Sequence, residues 1–92
     1  MNKIFDYVIS VSVRDIRDAN FNFELFVSDW NEKSFSIDIK NAISFANVHS
    51  AEETIISYRK YWLREVEDNY KGIIISININ KRVMTWERKE SY

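Results

Sequence analysis

The side chains able to do chemistry in this sequence are few, and their spacing limits what they can do. His49, the only histidine among 92 residues, stands three and four positions before Glu52 and Glu53. On a helix those offsets bring an imidazole and two carboxylates to one side, the beginning of a metal site or of a general base with acidic neighbours. No further ligand follows at the spacing that zinc or a two-metal centre requires, so His49 reads as a solvated residue ahead of a helix. Asp15 and Asp18 bracket Arg17, but the acid-rich, glycine-hinged pattern of a calcium loop is missing and a solvated turn is the better reading. Cysteine is absent, which removes disulfides and thiolate chemistry. The single glycine, Gly72, excludes a loop in which several backbone amides approach phosphate. No catalytic, cofactor-binding or metal-ligating residue is therefore assigned, and the chain is read as a non-enzyme with no cofactor.

Composition narrows the partners. A formal charge of −1 from 13 basic and 14 acidic residues gives no global field toward phosphate or anionic lipid. The basic side chains Arg59, Lys60, Arg64, Lys71, Lys81, Arg82, Arg88 and Lys89 are scattered over three elements, which disfavours direct nucleic-acid binding. No stretch approaches the ~18 apolar residues of a membrane span, and the first residues lack the charged and apolar regions of a leader. A cytoplasmic setting follows as the default expectation. With 46% hydrophobic and 15% aromatic residues the chain can build one core, and residues 1–92 are read as a single domain.

The elements that must carry these residues follow from periodicity. Phe5, Tyr7, Ile9, Val11 and Val13 alternate with Asp6, Val8, Ser10, Ser12 and Arg14, the pattern of a half-buried strand. A second alternation sets Phe21, Phe23, Leu25 and Val27 against Asn22, Glu24, Phe26 and Ser28, and a third sets Phe35, Ile37 and Ile39 against Ser36, Asp38 and Lys40. Together these predict a three-strand meander; whether residues 41–45 extend the third strand is left open by the pattern. Ser50 with Glu53 forms a capping box, which predicts a helix over residues 51–71. Its apolar arc of ~160° runs from Tyr58 through Trp62, Ile55 and Val66 to Leu63 and Ile56, with Arg59 projecting inside it. Gly72 stands at the expected left-handed residue after the helix. Ile73, Ile75, Ile77 and Ile79 then alternate up to Asn80-Lys81, read as the loop of a hairpin that places Arg82, Met84 and Trp86 opposite them. The predicted fold is α+β, order βββαββ: a mainly antiparallel five-stranded sheet with one long helix on one face. Trp62 and Trp86 are expected in its core.

One helix can cover one face, so the other face of the sheet is the expected binding surface. Alternation places Asp6, Glu24, Asp38 and Glu87 there, interleaved with Val8, Phe26, Ile74 and Val83. Acidic groups around apolar anchors suit a basic protein surface, such as that of a nucleic-acid-binding enzyme, and the same face can also pair a homodimer.

The run Ala42-Ile-Ser-Phe45, then Val48-His-Ser50-Ala-Glu-Glu53, a long helix and an isoleucine-rich strand resembles a module of small phage-encoded accessory proteins, a group that includes anti-CRISPR and other anti-defence inhibitors. The resemblance covers roughly residues 42–79 and implies no particular site residue. It implies a non-enzymatic protein-binding module that inhibits a host defence nuclease by covering its surface, with a homodimeric or nucleic-acid-binding regulator as the alternative.

Overall fold

A computed structural model describes residues 2–28 and 34–86. Four strands form one antiparallel sheet: β1 (Asn2–Asp15), β2 (Asn22–Val27), β3 (Phe35–Ser36) and β4 (Gly72–Trp86), in the order β3-β2-β1-β4. The α1 helix, Val48–Tyr70, connects β3 to β4 and lies on one face. The class is α+β, and the first three strands form the expected meander, with Val11 opposite Leu25 and Val27 opposite Phe35.

The predicted fifth strand is part of β4. Instead of folding back at Asn80-Lys81, the chain stays extended for 15 residues and pairs with β1 along its whole length, from Asn2 opposite Trp86 to Asp15 opposite Gly72. A type I′ two-residue hairpin needs positive φ at both central positions; Asn80 suits the first, but a lysine stands at the second, where glycine is favoured. Here Asn80 uses its side-chain amide to bond Ser10 across the sheet at 2.8 Å, and the extended path lets every residue of β1 find a partner. The proposed apposition of Ile75 with Trp86 is therefore wrong, and the burial of Trp86 lies outside the described side chains.

A bulge at Ile75 has a second consequence. Ile77 faces Val11 and Ile74 faces Val13, so one extra residue is accommodated between them. Beyond the bulge the alternation inverts. Ile74 joins Ile77 and Ile79 against the core, whereas Ile75 and Ile73 are about half exposed.

Ile9, Val11 and Val13 of β1 and Leu25 and Val27 of β2 are sealed beneath Ala51, Trp62 and Val66 of α1. Trp62 stacks on Tyr58 and meets Phe35 edge-on, each with ring centroids 6.3 Å apart. Phe45 closes one end, exchanging backbone hydrogen bonds with Tyr7 at 2.8 and 2.9 Å. Residues 41–45 thus do not prolong β3: a 3-10 turn at Ile39–Asn41 leads back to the sheet beside β1.

Both helix ends differ from expectation. The N-cap is Asn47, whose side chain accepts from the Ser50 amide at 2.8 Å, so α1 starts one turn earlier than the Ser50 box implies. At the other end Lys71, not Gly72, adopts the left-handed conformation, with φ 53° and ψ 45°. Gly72 is extended, and its value is proximity: a Cβ there would stand 2.2 Å from Val13 Cγ1 and 3.2 Å from the Arg14 carbonyl oxygen. Two opposite effects follow. Lys71→Gly is expected to raise stability by about 0.5–1 kcal/mol by removing left-handed strain, and Gly72→Val to lower it by at least about 1–3 kcal/mol through overpacking. Urea titrations of the two variants check both signs.

Candidate functional site

The sequence-derived surface does not come together as one patch. Asp6 is buried, gripped by Arg82, which faces it across the sheet: Nε donates to Oδ1 at 2.9 Å while a second guanidinium nitrogen bonds Oδ2. The guanidinium holds the Asp6 carboxyl below the usual carboxylate range against the opposing effect of burial. The same arginine donates to the Ile39 carbonyl at 2.7 Å, and to that of Ala42 at 3.4 Å, drawing the 3-10 turn onto this end of the bare face. Val8 and Ser10 are fully buried there. Ile74 turns into the core because of the bulge, and Val83, half exposed, lies on the helix side, opposite Phe5. Glu24 is exposed and Phe26 half-buried on the bare face as expected. Asp38 is exposed, but its carboxylate caps the 3-10 turn by accepting from the Lys40 amide at 2.9 Å. Glu87 lies outside the described residues.

What fills the middle of that face is a polar ladder. Asn80 bonds Ser10, and the Asn78 amide bonds Ser12 at 3.3 Å and Ser76 at 3.2 Å. These groups satisfy one another within the sheet, so covering them gains little.

The residues first weighed for chemistry are also placed. His49 and Glu53 form an exposed i, i+4 pair at 3.0 Å in the first turns of α1. Asp15 accepts from the Arg17 amide at 2.7 Å and from its guanidinium, a local turn in which the arginine lowers the Asp15 pKa. Among the described residues no cluster of three or more His, Cys, Asp or Glu side chains could hold a metal ion, and no helix is long and apolar enough to cross a membrane.

Sequence reasoning missed the feature on the other side of the molecule. β4 is the last strand of the sheet, so among the described residues the far edge of all 15 of its residues pairs with nothing. Beside that edge the helix and β4 enclose an open groove of about 350 Å³, lined by Ile55, Arg59 and Leu63 from α1 and by Ile74, Ile75, Ser76 and Ile77 from β4. Trp62 leans toward Phe35 at the opposite edge, which leaves the Arg59 and Leu63 flank turned to β4. Two of the lining side chains are exposed apolar groups, Ile75 at 50% and Leu63 at 44%, and Ile56, one turn before Arg59 on the same flank of α1, is 76% exposed; Ile73, opposite Arg14, turns to the bare face. Two signals in the sequence pointed here, the absence of a glycine after Asn80 and an apolar helical arc wider than one sheet contact needs.

No protein-family model matches this sequence, and no curated protein and no solved structure matches it either.

Proposed function

We propose that this chain is a protein-binding module that engages its partner along the free edge of β4 and the adjoining flank of α1. The observation that carries the reading is a 15-residue strand edge that is unpaired among the described residues, bordered on its helix side by three exposed aliphatic side chains, Ile56, Leu63 and Ile75. Unpaired strand edges recruit other strands through their backbone groups, and natural sheets blunt them with proline, inward-pointing charge or short length. β4 is long and has no proline. Its cations stand near the distal end, where Arg82 is occupied by Asp6 and Lys81 lies over the Phe5 ring at 4.1 Å. An added strand would gain main-chain hydrogen bonds at the edge and bury the isoleucines at the same time.

Inhibition of a nuclease through an acidic sheet face draws less support. Asp6 is neutralised by Arg82 and Asp38 is engaged in a cap, so the face offers a polar, self-satisfied surface rather than a run of free carboxylates. The two surfaces are separated by comparing what copurifies with three forms of the protein in quantitative affinity capture. Partners of the wild type are expected to remain on the Glu24→Lys, Asp38→Lys, Phe26→Ala variant and to be lost from an Ile56→Glu, Ile75→Lys variant. The reverse pattern would return the site to the bare face.

A further inference from the structure

We propose that the strand completing the β4 edge is β4 of a second copy of this chain, joined antiparallel about a two-fold axis normal to the sheet. This rests on the edge being the binding surface and names what occupies it. The sequence of the strand is self-complementary in the way such an axis demands. An axis passing beside residue c pairs c with its own copy and each c+n with c−n, so in the regular part of the strand, up to the bulge at Ile75, side chains on one face meet side chains of that face. Centred on Asn78, near the middle of β4, this pairing sets Ile77 against Ile79 twice on the helix side and Ser76 against Asn80 twice on the bare side. Apolar residues extend the core, and the Asn and Ser ladder runs from one copy into the other.

The helix supports the same axis. Because the axis is normal to the sheet, both helices fall on one face, with the Ile56, Arg59 and Leu63 flanks turned toward each other over the junction. Ile56 and Leu63 are seven residues apart and project from the same side of α1, so each groove is closed by the other copy. The size is adequate. With the axis beside Asn78, residues 72–84 of the two copies face each other over an edge roughly 40 Å long, and a strip about 10 Å deep along it, with the helix flank added, approaches the ~800 Å² per partner of a stable interface.

The chain has no cysteine, so single cysteines can report the axis directly. Sedimentation equilibrium of the full-length protein is expected to show a dimer, and Ile56→Glu with Ile75→Lys to weaken it by roughly 30-fold or more, the scale of losing a hot-spot side chain. Both positions are half exposed or more, and far-UV circular dichroism confirms that the variant is folded. Under mild oxidation N78C is expected to cross-link to its own copy much faster than E24C on β2, which β1 separates from the edge. A chain that stays monomeric to on the order of 100 μM overturns the inference while leaving the edge open to a different protein, which the capture comparison above decides. A dimer unaffected by the edge variant, or cross-linked as readily through E24C, overturns it as well.

Discussion

Trp62→Ala is expected to lower stability by about 3–5 kcal/mol. The side chain is fully buried at the point where α1 crosses the sheet, in one cluster with Ile9, Val27, Phe45 and Ala51. Its ring contacts, stacked on Tyr58 and edge-on to Phe35, tie the helix to β3, a strand only two residues long that has little else to hold it. Alanine would leave a cavity lined from both layers. A domain of this length has about 5–14 kcal/mol to lose, so the midpoint of thermal unfolding should fall by roughly 15–30 °C. A calorimetric scan with an unchanged midpoint would show that Trp62 is not the centre of the core.

Arg82→Ala is expected to have a comparable effect for a different reason. It removes the partner of a buried carboxylate and the donor to two loop carbonyls in one step. Breaking such a pair from one side costs about 3–5 kcal/mol, because the remaining charge stays buried with only the Ser44 and backbone hydrogen bonds to support it. Removing both, as in Asp6→Val with Arg82→Met, should recover a large part of the loss, and the double-mutant cycle measures how much. The pair also sets an acid dependence. The folded-state pKa of Asp6 lies below its unfolded value of 3.8, so the stabilisation is complete above about pH 4 to 5 and is lost as pH falls through the lower folded value. In Arg82→Ala the largest lowering influence is gone, and burial, which raises the carboxyl pKa, is opposed only by the Ser44 and backbone hydrogen bonds. The deficit of the variant should therefore shrink on acidification, which urea titrations at pH 7 and pH 3 can resolve.

Much of this architecture was legible in the sequence, and each place where it was not has a physical cause. The alternation in β1 and β2, the helix and the burial of Trp62 follow from side-chain periodicity, because each places a continuous apolar row against one layer. The hairpin at Asn80-Lys81 failed because alternation looks the same in one long strand and in two short ones. What decides between them is φ at the turn, where Asn80 suits a positive value but Lys81 stands in place of the favoured glycine. The bulge at Ile75 escaped because a run of isoleucines on both sides of it hides a change of parity. That one residue moved Ile74 into the core and exposed Ile73 and Ile75. The helix start was displaced because Asn47 and Ser50 are both good caps, and the backbone chose the earlier. Strand order is carried by no local pattern. The bare face was reasonable as a binding surface while β4 was taken for a hairpin, whose outer strand would have covered the edge that now stands open.

The most direct measurement is residue-resolved amide exchange over β4 by NMR, recorded in concentrated solution and again after dilution. Amides of β4 that point toward β1 should be protected at both concentrations. If the edge is a binding surface completed by a second strand, the alternate amides, which point away from β1, should also be protected in the concentrated sample and lose that protection on dilution or in the Ile56→Glu, Ile75→Lys variant. Free exchange of those outward amides at every concentration, in a sample shown by sedimentation to be associated, would contradict the account.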